Sequence, residues 1–156
     1  MQMLTRAFGE IEIDESKVIS FPGGIIGFPD LQNFVLLYDE EQGSNTVKWL
    51  QSVEEPGFAM PVLNPLIVKE DYNPAVDDEL LKPLGDMSDE DMVVLVTMTV
   101  PHEIEKMTVN LRGPIIINSA THKGCQIIID SDEYKVKYPI YDKLAEAKKA
   151  REGGDQ

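Results

Sequence analysis

The sequence predicts one mostly-β domain, a small, mostly antiparallel barrel or sandwich with a short C-terminal helix. Three observations predict it. The chain has 156 residues, a length that suits a single domain able to bury its own core. About ten short β-rich segments alternate with turn residues along it, the pattern of compact antiparallel proteins. It has one cysteine, Cys125, so no internal disulfide and no Cys-x-x-Cys pair props up the fold.

The elements follow in order. Leu4–Phe8 and Glu10–Ile13 flank Gly9, and Ile11 and Ile13 alternate with Glu10 and Glu12 as on a strand with one wet face. Val18–Phe21 is broken by Pro22-Gly23-Gly24. Phe34–Tyr38 and Val47–Val53 are strands joined by a polar loop with Gly43, Ser44 and Asn45. Phe58–Leu63 contains Pro61, which predicts an edge strand or a bulge. Asp77–Leu84 reads as one or two helical turns with Leu80, Leu81 and Leu84 on one side. Met92–Val100 is a strongly buried strand. Thr108–Leu111 and Ile115–Asn118 are split by Arg112-Gly113-Pro114, and Cys125–Ile129 and Glu133–Lys137 flank the turn Asp130-Ser131-Asp132. The helix Asp142–Glu152 sets Tyr141, Leu144 and Ala145 on one face, places Lys148, Lys149 and Arg151 toward its C-terminus, and ends at Gly153-Gly154. The expected organisation is a β-rich domain over 1–142 and a helical tail over 143–156.

Charge narrows the function. Fourteen basic and 28 acidic residues leave a net charge of −14, which repels nucleic acid and anionic membranes and favours a basic protein partner. Residues 70–92 hold nine acids (Glu70, Asp71, Asp77, Asp78, Glu79, Asp86, Asp89, Glu90 and Asp91) against Lys82 alone. This run is either a solvated loop or a face that steers a basic partner. The start of the chain carries charges where a signal peptide needs an apolar run, and the longest apolar segment, Met92–Val100, falls short of the ~20 residues of a spanning helix. A cytoplasmic location is expected.

No catalytic constellation emerges. His102-Glu103 begins a His-Glu-x-x-His zinc motif, but position 106 is Lys. Asp130-Ser131-Asp132 lacks the glycine and terminal glutamate of a calcium loop. Gly23, Gly24 and Gly27 form GGxxG without a P-loop lysine. Cys125 lies in an apolar run without an activating cation. No metal and no cofactor is expected. What remains is apolar: the Gly-Pro-rich loop Phe21–Pro29 carries Phe21, Ile25, Ile26 and Phe28, which either plug the end of the fold or face a partner. Trp49 and Tyr72 carry the same ambiguity.

Three stretches, the loop Phe21–Pro29, the segment Trp49–Val53 leading to Pro56 and Pro61, and above all Thr108-Val-Asn-Leu-Arg-Gly-Pro-Ile-Ile-Ile-Asn118, resemble the FliW family of flagellar assembly factors in order from about residue 3 to 142. The resemblance implies a small antiparallel β-barrel or pseudo-barrel without enzymatic activity, cytoplasmic, which binds unassembled flagellin as a chaperone. It also implies binding to CsrA, the small RNA-binding regulator that represses flagellin translation, so that repression is relieved. The apolar loop, the ambiguous Tyr72 and the acidic run supply the expected partner-binding residues: Ile26, Phe28, Asp71, Tyr72, Asp77, Asp78 and Glu79. The competing reading is a small-ligand-binding β-barrel or an unrecognised hydrolase.

Overall fold

A computed structural model describes residues 2–5, 9–38, 47–74, 76, 78–88, 90–129, 133–143 and 145. Its strands are β1 (Gln2–Thr5), β2 (Gly9–Glu12), β3 (Ile19–Ser20), β4 (Asn33–Tyr38), β5 (Val47–Ser52), β6 (Ala59–Leu63), β7 (Met92–Thr99), β8 (Thr108–Val109), β9 (Ile115–Asn118), β10 (Lys123–Gln126) and β11 (Tyr138–Pro139), and a short helix, α1 (Asp78–Leu81), precedes β7. β1 and β2 form a separate hairpin. Seven strands close into a barrel: β3-β4-β5-β6-β7-β9-β10 run antiparallel, neighbour to neighbour, and a parallel seam between β10 and β3, Lys123 beside Ser20, returns to the start. β8 and β11 extend β7 on one side. Closure removes the exposed strand edges that a sandwich of this size would have to protect.

Period-2 alternation sorts the side chains into two cores. Ile19, Phe21, Phe34, Leu50, Val62, Leu95, Ile115 and Ile117 form one cluster, the barrel interior. Their alternates Leu63, Val96, Met98 and Ile116 belong to a second cluster, outside the barrel wall, with Val68, Tyr72, Leu84, Ile127, Ile129, Tyr134 and Ile140. The chain around Val68, Tyr72 and Leu84 and around Ile127, Ile129, Tyr134 and Ile140 thus closes over strands β6, β7 and β9 as an outer layer. Gly124 lets the barrel pack here: a Cβ on it would stand 2.8 Å from the Phe21 ring.

Several sequence expectations are corrected. Pro61 marks neither an edge strand nor a bulge, since β6 lies between β5 and β7. β7 pairs only with Val62 and Leu63, however, and Pro61 faces Trp49 of β5 alone, so its missing N–H breaks no ladder. The strand expected at Cys125–Ile129 is β10, shifted to Lys123–Gln126. Its partner β9 starts only after Pro114, which has no N–H to donate, and Ile127 and Ile129 instead donate singly to the carbonyls of Pro114 and Arg112. Glu133–Lys137 is not a strand. Its Lys135 carbonyl takes one bond from Leu111 N–H, and pairing starts at Tyr138. The helix expected at Asp77–Leu84 is α1 followed by a 3-10 turn over Lys82–Leu84, where Pro83 tightens the chain. Of the C-terminal helix, Tyr141–Lys143 and Ala145 are helical, and the remainder lies outside the described residues.

Candidate functional site: an apolar loop and a pinned acidic arm

The loop Phe21–Pro29 divides its apolar side chains between both roles open to it. Phe21 and Ile25 are buried and cap the barrel interior, whereas Ile26 and Phe28 stand 49% and 45% exposed. Ile25 and Phe28 exchange two backbone hydrogen bonds of 2.7 and 3.2 Å, so Ile26 and Gly27 form the tip of a tight turn with Gly27 at φ +89°. Gly24, at φ +70°, lies where a Cβ would come 2.6 Å from the Pro29 backbone, so only glycine lets the two limbs cross. The ring of Phe28 rests on Phe58 at 4.6 Å between centroids, Phe58 on Phe34 at 6.3 Å and Phe34 on Phe21 at 5.3 Å. This chain of aromatics runs from surface to core. The carboxylate of Glu54 holds the loop's exit, accepting from the N–H groups of Gln32 and Asn33 and from the Asn33 side chain, at 3.0, 3.0 and 3.1 Å. Burial opposes its ionisation, but these donors outweigh that and hold its carboxyl below the usual glutamate range.

Gln126 fixes the loop tip. Its Oε1 accepts from Ile26 N–H at 3.0 Å and its Nε2 donates to the Gly113 carbonyl at 2.9 Å. The Arg112-Gly113-Pro114 turn is itself set by the Asn110 side chain, which accepts from Arg112 N–H and Gly113 N–H. Ile26, Ile128 and Val136, all exposed, surround a shallow hollow floored by this turn. Two stretches far apart in the sequence, the Gly-Pro loop and the Thr108–Asn118 run, therefore build one surface.

The acidic run is an amphipathic arm. Val68, Tyr72, Val76, Leu81, Leu84 and Met87 turn inward onto the outer core, while Glu70, Asp71, Glu79, Asp86 and Glu90 face water. The Thr108–Asn118 segment pins both ends of it. Tyr72 Oη donates to the Leu111 carbonyl at 2.6 Å. Asn118, fully buried, donates from Nδ2 to the carbonyls of Leu84 and Asp86 at 2.9 and 3.0 Å. Thr121 adds a bond to Leu84, and Ser119 adds two to the Asp91 carbonyl. The arm is thereby held against the barrel with Glu70, Asp71, Glu79, Asp86 and Glu90 outward.

Of the site residues expected from sequence, the structure places Ile26 and Phe28 on the loop surface, and Asp71 and Glu79 exposed on the arm. Asp71 is paired with Lys69 at 2.9 Å, and this hydrogen bond lowers the carboxyl and raises the ammonium. Asp77 and the side chain of Asp78 lie outside the described residues. Tyr72 needs correcting as an exposed anchor: it is 7% exposed, edge-on to Tyr134 at 4.9 Å, and burial pushes its phenol well above the ordinary tyrosine value. Its role is to fasten the arm. Trp49 is half-buried on the barrel wall. Cys125 is half-buried, and burial pushes its thiol up, away from the reactive thiolate. Among the described residues, no His, Cys, Asp and Glu group is placed to hold a metal ion, and no helix is long and apolar enough to cross a membrane.

Gln126 and Asn118 are the residues sequence reasoning missed. Asn118 carried a signal, a polar residue closing an otherwise apolar strand. Gln126 carried none, because both its partners are distant in the chain.

The model of the FliW protein family matches residues 2–140. The chain is 44% identical over 154 residues to the flagellar assembly factor FliW of Lachnoclostridium phytofermentans, covering 98% of this chain and 99% of that one. It is 50% identical over 146 residues to the protein of the same name from Lachnospira eligens, covering 92% and 97%. A crystal structure of the flagellar assembly factor FliW superposes with a TM-score of 0.83 at 31% identity, covering 90% of this chain and 97% of that one.

Proposed function

Because the chain belongs to the FliW family, we propose that it acts in flagellar assembly as a non-enzymatic binding protein of the cytoplasm. Its partners in this reading are CsrA, whose repression of flagellin translation it relieves, and unassembled flagellin, which it chaperones. The working unit is residues 1–142, and 143–156 is an accessory tail.

The observation that carries the reading is the acidic arm. A flexible acidic loop loses much of its field to averaging and pays ordering entropy on binding. An arm fastened at Leu111 and Asn118 presents fixed charge. CsrA, an RNA-binding protein, is expected to carry basic surface, and a −14 chain draws such a surface in at long range. Asp71, Asp77, Asp78 and Glu79 are the residues assigned to this contact. Ile26 and Phe28 suit the other partner. Flagellin's terminal helices are amphipathic before assembly, and a rigid apolar knob is what shields such a face.

The test is direct binding. Purified protein is titrated separately with CsrA and with flagellin held unassembled, and CsrA release from flagellin leader RNA is followed in parallel. Binding to both, with release of the RNA, supports the reading. Absence of binding to either one removes that partner.

A further inference from the structure

The acidic arm borders a groove to which neither the resemblance nor the relatives assign a role. Where the arm crosses β7 and β9 it leaves a cavity of about 470 Å³. Leu66, Val76, Leu81, Met92, Val94 and Ile116 line it, and Tyr72 closes one wall. Leu66 is 50% and Met92 39% exposed, so apolar surface stays open to water at the rim. Three prolines, Pro65, Pro74 and Pro114, stiffen the same walls. The run that borders it is acidic in excess: Asp71, Glu79, Glu90 and Asp91 lie among residues 70–92, with Lys69 paired to Asp71 at 2.9 Å and Lys82 drawn toward Glu79 at 3.8 Å.

We infer that this groove is a docking site for a basic amphipathic segment of a partner protein, a stretch that seats two or three apolar side chains among Leu66, Leu81, Met92 and Ile116 and sets Lys or Arg on its shoulders. Apolarity and charge divide the work. The groove supplies burial, which sets how long the complex lasts, and the rim supplies the field, which sets how fast it forms and which sign of partner is admitted. An acidic segment of the same shape meets like charge on the rim and is turned away. A small apolar ligand is a poorer fit, since an open groove would leave it half in water. This inference deepens the proposed contact with a basic regulator and rests on it for the partner's name, though not for the partner's chemistry.

Two arms of one experiment separate the two claims. In the first, the probes are synthetic helical peptides of about eighteen residues, with Leu on one face and either Lys or Glu on the other. Methyl NMR is read on Leu66, Leu81, Met92 and Ile116. The Leu/Lys peptide is expected to shift these signals, and the Leu/Glu peptide is not. Leu66→Ser and Met92→Ser are expected to weaken the Leu/Lys peptide at least tenfold. Both positions are part-exposed, so the folded spectrum should survive, and Leu4→Ser on the separate β1–β2 hairpin, 72% exposed, should leave affinity unchanged. Shifts centred elsewhere, equal response to both peptides, or full affinity in Leu66→Ser and Met92→Ser overturn the groove. In the second arm the same variants are titrated with CsrA. If CsrA binds them as tightly as the parent protein, the groove assignment fails and the regulator reading stands. If CsrA binds none of them, the parent included, while the Leu/Lys peptide still seats in the groove, the regulator reading fails and the docking site stands.

Discussion

Side chains of one type divide sharply by what they touch. Phe21 and Phe34 are wholly buried, whereas Phe28 leans on Phe58 with nearly half its surface in water. Truncating Phe34 removes a core ring and should cost ~3–5 kcal/mol. Phe28→Ala forfeits one ring pair and partial burial, and should cost only about 1–2 kcal/mol. If Phe28 anchors flagellin, the same change should cost ~2 kcal/mol or more in binding. The denaturant midpoint and the dissociation constant, measured on one variant, give both numbers; a large midpoint drop with intact affinity would return Phe28 to a purely structural role. Glu54 offers a second test. Its folded carboxyl titrates below its unfolded value, so its stabilisation is present above the ordinary glutamate pKa of about 4.3 and is lost as pH falls through the lower folded value. Glu54→Gln should therefore be less stable than the parent protein at pH 7, and the gap should close on acidification. A gap independent of pH would mean that the carboxylate's charge plays no part.

Among elements, alternation was the readable signal. Met92–Thr99 was legible as a strand, and its middle is buried because both faces meet a core, Leu95 inside the barrel and Val96 under the arm, whereas Met92, Thr99 and Val100 at the ends of the expected run are exposed. The turn at Arg112-Gly113-Pro114 was legible from its residues. The ends of pairing were not: β10 starts two residues earlier than its apolar run suggests, because the register is set by where β9 can donate, a fact that sits on another segment. Tyr72 looked like a candidate anchor for the same reason, since nothing local says that its hydroxyl finds Leu111. The acidic run was visible as charge, while its inward-facing residues became a stripe only once the barrel wall was there to receive them. The C-terminal helix gives the prediction proper to this scale. Leu144 and Ala145 are its main apolar residues beyond Asp142, so deletion after Asp142 should lower stability by no more than ~1–2 kcal/mol in a denaturant titration. An unfolded product would make the tail part of the domain.

At the scale of the molecule, charge and closure dominate. With −14 overall and the excess gathered on one arm, association with a basic partner should be steered. Its on-rate should fall as salt rises through ~0.1 M, where the screening length is about 10 Å, and Asp77→Lys, Asp78→Lys and Glu79→Lys together should slow it further at low salt with little change in dissociation. Stopped-flow rates across a salt series decide this; a flat profile would remove steering from the account. Closure has a different consequence, one in time. The barrel's last seam joins β3 to β10, and the bond that sets the loop tip spans 100 positions, from Ile26 to Gln126. Such contacts form late, because the chain between them must be made and gathered first. On the ribosome, a nascent chain that has emerged only as far as β9 has neither the seam nor the glutamine, and Asn118 has just appeared to hold the arm. The arm's anchor at Asn118 thus precedes the loop's anchor at Gln126, and both arrive late in synthesis. A copy that stops before Gln126 lacks both the seam and the bond that sets the loop tip, whereas one that stops after Asp142 has both.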